Sequence, residues 1–206
     1  MPLNMASISN TTICPKKSIE NGVRGLKLAM LGNYEDAINA FVDALYYDCD
    51  IRHYLNLCNC FIHQKEFKLA KDYAKEALSI LKQSNSPMTS KYKFLTQFIM
   101  GQANYGLKNY KEAEVEFSKA FVLFPTSRQV ANYLRCVKIQ QILDFGFSYK
   151  DAVKALKNYP NTEEAIKFLY KSNPNSKTKE LEEEFSHSDC DDWVFDSDED
   201  ENFLDF

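Results

Sequence analysis

The sequence predicts an all-α chain whose folded part is a stack of helical hairpins, and three observations carry that expectation. First, three segments align without gaps: GNYEDAINAFVDAL (32–45), KEFKLAKDYAKEAL (65–78) and KNYKEAEVEFSKAF (108–121). In each, an aromatic residue is followed by an alanine three positions on and a second alanine seven beyond that: Tyr34, Ala37, Ala44; Phe67, Ala70, Ala77; Tyr110, Ala113, Ala120. The spacing keeps these residues on one helix face. Alanine suits a close helix crossing, and the ring fills the gap beside the turn. Second, an apolar helix of similar length precedes each segment, ending at Leu31-Gly32-Asn33, Gln64-Lys65-Glu66 and Leu107-Lys108-Asn109. Third, 206 residues that are 45% apolar suffice for one sizeable core or two small ones.

In chain order, residues 1–17 read as a disordered polar tail. Its Asn10-Thr11-Thr12 sequon is read as an accident, because the start lacks the apolar stretch of a secretory signal. No run reaches the ~18 apolar residues of a membrane helix, and the six cysteines form no C-x-x-C pair. The expectation is a cytoplasmic protein with free thiols, a nuclear location being compatible. Repeats follow over 18–50, 51–84 and 94–127, with an insertion at 85–93. The alanines step by 33 from Ala37 to Ala70 and by 43 from Ala70 to Ala113. Within the insertion, Ser86-Pro87 has the form of an N-cap and first helical residue, which predicts an unusually long hairpin.

These hairpins resemble the tetratricopeptide repeat (TPR), a helix-turn-helix unit of about 34 residues. Gly25, Cys58 and Gly101 take the family's small-residue position in the first helix, and Pro125 stands where a repeat ends. Asn21 and Arg24 replace large apolar residues, so the first repeat is expected to be looser. The resemblance implies an α-solenoid whose first helices line a peptide groove. Projected onto this chain, the peptide-groove residues are Arg52, Asn56, Asn59, His63, Phe98, Gln102 and Tyr105. TPR domains that clamp the acidic C-terminal peptide of heat-shock chaperones use Lys and Asn in the first repeat and basic residues in the third. Gly22, Leu26, Leu95 and Ile99 stand at those places and only Asn56 matches, so a chaperone clamp is not expected.

Beyond Pro125, Thr126 or Ser127 can cap a helix running to about Asp144, Gly146 breaks it, a second helix runs from Tyr149 to about Asn158, and Thr162 can cap a third ending near Ser172. Two readings compete for 128–174. One is a degenerate fourth repeat with a capping helix, since Tyr149-Lys150-Asp151-Ala152 echoes Tyr34-Glu35-Asp36-Ala37. The other is that the segment resembles a ubiquitin-associated (UBA) domain, with Ile139 and Ile142, Phe145-Gly146-Phe147 at the family's Met-Gly-Phe loop, Ala152, Ala155-Leu156, Ala165-Ile166 and Phe168-Leu169. Here Phe145 replaces the usual methionine, and the loop before the third helix is short. That resemblance implies a ubiquitin-binding patch of Phe145, Gly146, Phe147, Leu169 and Tyr170, with Phe147 exposed. The first helix can serve both bodies, capping the stack with its front half and the bundle with its back half.

Residues 175–206 read as a disordered acidic tail with aromatic anchors. From Thr178 on, 13 acids face the single base Lys179, whereas residues 1–177 carry 24 Lys/Arg against 16 acids. Spaced aromatics among acids suit an interaction motif, with Trp193, Phe195, Phe203 and Phe206 as the candidate anchors, and the basic body makes folding back over the groove as an autoinhibitory pseudo-ligand one outcome. Ser186, Ser188 and Ser197 each precede an acid by three residues, a pattern that suits an acid-directed kinase.

No catalytic constellation, metal site or cofactor motif emerges. The three histidines lack ligand spacing, and Cys58 and Cys60 lie about 200° apart on a helix. The lysines are scattered and form no basic run, so nucleic acid is not the expected partner. The expectation is a non-catalytic adaptor that takes a peptide or client protein in the groove and ubiquitin or a ubiquitin-like protein at its end. The alternative is a purely structural four-repeat scaffold without ubiquitin binding.

Overall fold

A computed structural model describes residues 14–83 and 88–172. The Ser86-Pro87 cap, most of the N-terminal tail and the acidic tail with its aromatic anchors lie outside those residues. Among the described residues the chain is helical throughout: α1 (Pro15–Met30), α2 (Tyr34–Tyr47), α3 (Ile51–His63), α4 (Phe67–Gln83), α5 (Thr89–Gly106), α6 (Tyr110–Leu123), α7 (Arg128–Leu143), α8 (Tyr149–Asn158) and α9 (Thr162–Ser172). None of these helices is long and apolar enough to cross a membrane. Each helix packs on the next through α8, α1 and α5 each also touch α3, and α9 packs on both α7 and α8.

The repeats close as the alanine pattern requires. Ala37, Ala44, Ala70, Ala77, Ala113 and Ala120 have no accessible surface. Gly101 lets α5 and α6 approach until a Cβ there would stand 2.5 Å from the Phe117 ring, and Gly25 does the same against Phe41 at 2.8 Å. In the second repeat Cys58 and Ala74, both fully buried, divide the volume differently. The first repeat departs from the family pattern in kind of packing: α1 buries the small residues Ser18, Gly22 and Gly25 instead of large ones.

All three intra-repeat turns share one geometry. Gly32, Lys65 and Lys108 adopt φ of +74°, +60° and +60°. The next amide reaches back five residues, Asn33 N–H to Leu28 O (2.9 Å), Glu66 N–H to Phe61 O (2.8 Å) and Asn109 N–H to Asn104 O (2.9 Å). This is a Schellman closure, which satisfies carbonyls that the helix end would otherwise leave bare. The residues added between the second and third repeats extend helices: α4 has 17 residues and α5 has 18, against 14 in α2 and 13 in α3.

The core falls into three clusters. The first spans repeats one and two with part of α5, and the second joins α5, α6 and the front of α7 through Phe98, Phe117, Val130, Tyr133 and Val137. The third joins the back of α7 to α8 and α9 through Ile139, Ile142, Phe147, Ala152, Ala155, Ala165 and Leu169. Ser127 caps α7 by accepting from Val130 N–H at 3.3 Å, and Ser148 caps α8 by accepting from Asp151 N–H at 3.2 Å. The α9 cap is one residue earlier than expected. Asn161 Oδ1 accepts from Glu163 and Glu164 N–H (2.9 and 3.2 Å), while Thr162 is buried as the first helical residue.

Candidate protein-interaction surfaces

Helices α1, α3 and α5 lie side by side, because α3 touches both of the others. Their shared face is the groove predicted from the repeats, and its character changes along the stack. In α3, Arg52 is exposed but already engaged: its guanidinium holds the Asp50 carboxylate at 2.9 and 2.5 Å while Asp50 caps the helix. Burial works against the Asp50 charge, but hydrogen bonds and charge from Arg52 outweigh it and lower the carboxyl pKa. Asn56 is buried, Asn59 half-buried. His63 stacks on Tyr34 at 4.6 Å with the rings nearly parallel, and burial lowers its pKa. Behind this face His53 Nε2 lies 3.0 Å from Ser18 Oγ in a buried pair linking α3 to α1. Burial lowers the His53 pKa too, despite Asp50 and Asp48 pulling upward.

In α5 the expected groove residues are covered. Phe98 and Tyr105 are each only 9% exposed, because Tyr133 of α7 lies across them at 5.4 and 6.1 Å between ring centres. Gln102 donates from Nε2 to the Tyr133 hydroxyl at 3.0 Å. The expectation that all three face a ligand is therefore corrected for the two rings: α7 stacks as the next helix of the array and closes that end.

The opposite end is open and apolar. Ile19 is 56% exposed, Val23 45% and Met30 86%, with Leu26 half-buried among them. Each stands 33 residues before Arg52, Asn56, Asn59 or His63, so α1 carries the same register of the same face. The sequence reading took Leu26 only as a residue that a chaperone clamp would not have, and passed over the other three. Their 4-3-4 spacing looks like a core stripe. The signal that could have exposed them is Ser18, Gly22 and Gly25, a buried face of small residues that leaves the large ones pointing elsewhere.

At the far end of the chain, the turn after α7 differs from the three repeat turns. It spans five residues, 144–148, instead of three, and Gly146, at φ +83°, reverses the chain. Phe145 is 50% exposed, but Phe147 turns inward and is only 7% exposed, as is Leu169. Exposure of Phe147 was expected and is corrected. Of the two rings beside Gly146 one points outward, and the other, Phe147, fills the third core beneath Tyr170 at 4.9 Å. The outward rings are Phe145 and Tyr170, 6.5 Å apart and edge to face.

Among the described cysteines, Cys58 and Cys60 are buried, Cys14 and Cys136 half-buried and Cys49 exposed, and none is in a disulfide. Burial pushes the Cys60 thiol up to about 11, which suits packing over nucleophilic chemistry.

Antiparallel helix pairs with alanine crossings, stacked side by side, define the fold of a TPR domain. Solved structures agree. The first TPR of Spaghetti (RPAP3), solved bound to the HSP90 peptide SRMEEVD, is 18% identical with a TM-score of 0.55, covering 62% of this chain and 95% of that one. The first TPR domain of human RPAP3 is 17% identical at 0.57, covering 66% and 100%, and the Arabidopsis OM64 TPR domain is 20% identical at 0.53, covering 60% and 95%. At these identities the likeness is one of fold. No protein-family model matches the chain, and no curated protein matches it in sequence.

Proposed function

We propose that the chain is a non-catalytic adaptor, cytoplasmic or nuclear, with a peptide-binding repeat face and a C-terminal bundle that docks ubiquitin or a ubiquitin-like protein. The observation that carries the first half is the exposed Ile19-Val23-Leu26-Met30 stripe in register with the second repeat's groove positions. An unpartnered apolar stripe rimmed by polar residues marks an interaction site, and its anchors select an extended peptide with large apolar side chains near one end. The first TPR of Spaghetti (RPAP3) was solved with an HSP90 peptide and the second TPR domain of human RPAP3 with an HSP70 peptide, both ending in EEVD. A carboxylate clamp of that kind has little to hold it here: Gly22 and Ile99 are buried, and Arg52 is spent on Asp50. Titrating SRMEEVD and a library of apolar-anchored peptides into the isotopically labelled full chain tests this. The reading expects saturable shifts along α1 only from the apolar set, abolished by Val23→Glu. Tight SRMEEVD binding that survives this substitution overturns it.

The ubiquitin reading rests on the five-residue turn, which breaks the repeats' closure, and on the exposed Phe145–Tyr170 pair. The same labelled chain titrated with ubiquitin is expected to shift at Gly146 and Tyr170, with the shifts lost in Phe145→Ala. Silence up to millimolar ubiquitin favours the second reading, a four-repeat scaffold. That alternative has one observation of its own: α7 stacks on α6 and covers α5 as a further repeat would.

A further inference from the structure

The C-terminal bundle has another surface, away from the Phe145 turn. The end of α6, the face of α7 and the C-terminal half of α8 enclose a cleft of about 450 Å³, within the size range of ligand sites. Leu134, Ile139, Val153 and Leu156 make its floor, and Arg135, Lys138 and Lys157 stand around it. Recurrence every three or four residues puts each helix's contributions on one face. Lys138 is occupied, donating to the Pro160 carbonyl at 2.8 Å and lying 3.8 Å from Glu114. Arg135 and Lys157 are exposed and have no acidic partner among the described residues.

We propose that this cleft is the docking site of the chain's own acidic tail, with Trp193 on the apolar floor and Asp191, Asp192 and Asp196 against Arg135 and Lys157. The site asks for a large ring flanked by carboxylates, and Asp191-Asp192-Trp193-Val194-Phe195-Asp196 supplies both within six residues. Charge agrees at larger scale: 13 acids against one base from Thr178 on, facing a body with 24 bases and 16 acids. Reach is ample. α9 ends at Ser172 in the same bundle, and the 21 residues from there to Trp193 can span up to about 70 Å. Tethering supplies an effective concentration on the order of millimolar, so a shallow site suffices.

Trp193 is the only tryptophan of the chain, so its fluorescence reports the tail without background. In the full chain the expected emission is blue-shifted and shielded from acrylamide relative to a peptide of residues 178–206, independent of protein concentration and reversed by molar salt. Arg135→Glu with Lys157→Glu should return the emission to that of the free peptide, while Lys16→Glu with Lys27→Glu on α1 leaves it shielded. Emission equal to the peptide's in the unaltered chain overturns the proposal. So does release by the α1 pair instead, which would put the tail in the repeat groove, or shielding that grows with concentration, which would mean docking between copies.

Discussion

The two ends of the repeat face are built from the same register and finished in opposite ways. At the first repeat the face is bare among the described residues: Ile19, Val23 and Met30 are exposed because α1 meets α2 with Ser18, Gly22 and Gly25. At the third, the equivalent face is roofed by Tyr133, which packs on Phe98, Tyr105 and Phe117. A repeat position therefore does not fix whether a residue meets a ligand. What decides is whether another helix follows, and how large the residues are on the side that faces the hairpin partner.

Breaking the roofed end should cost most. Tyr133→Ala removes a ring that touches three others, and a loss of about 3 kcal/mol is expected for deleting such an aromatic, read as a lowered midpoint in urea melts. Forcing the hairpin apart comes next: Gly101→Ala puts a Cβ 2.5 Å from Phe117, an overpacking worth about 2 kcal/mol, and the same melts report it. Acid should weaken the open end's support. His53 and His63 have lowered pKa values in the fold, so unfolding takes up protons as pH falls below the ordinary histidine value of 6.5, and stability falls with it. Buried His53 contributes at most about 1.4 kcal/mol per pH unit, and the exposed His63 less. Melts at about pH 7.5 and about pH 5.5 should differ, and His53→Asn should flatten the difference, since an ionisable group is removed. Smallest and opposite in sign is Lys108→Gly. Its left-handed backbone disfavours a side chain, so glycine should stabilise by up to about 1 kcal/mol, as Gly32 already does in the first turn. By contrast, Met30→Ser should leave stability within about 0.5 kcal/mol while weakening peptide binding, which separates the bare end's role from the roofed end's.

Much of this architecture was legible in the sequence, because alanine crossings and aromatic turn-fillers recur at fixed offsets and few other folds use both. The α8 limits were legible too, since Gly146 breaks the preceding helix and Tyr159-Pro160 resists helix. The sites were harder. Nothing in Phe145-Gly146-Phe147 says which ring turns in; that depends on Leu169 and Tyr170, 22 and 23 residues on, closing over Phe147. Phe98 and Tyr105 were misread because the roofing residue, Tyr133, belongs to a helix with no clear repeat signature. Thr162 was read as the α9 cap because its hydroxyl can accept, but it is buried as the first helical residue and Asn161 before it accepts instead.

The partition of α7 has a consequence for dissecting the protein. Val137 belongs to one core and Ile139, two residues on, to the next. There is no seam here at which a protease, or a rearranging gene, could detach the last three helices intact. Cutting before Arg128 strips Val130 and Tyr133 from the repeats, and cutting after Leu143 strips Ile139 and Ile142 from the bundle. The two bodies must be inherited, folded and studied together.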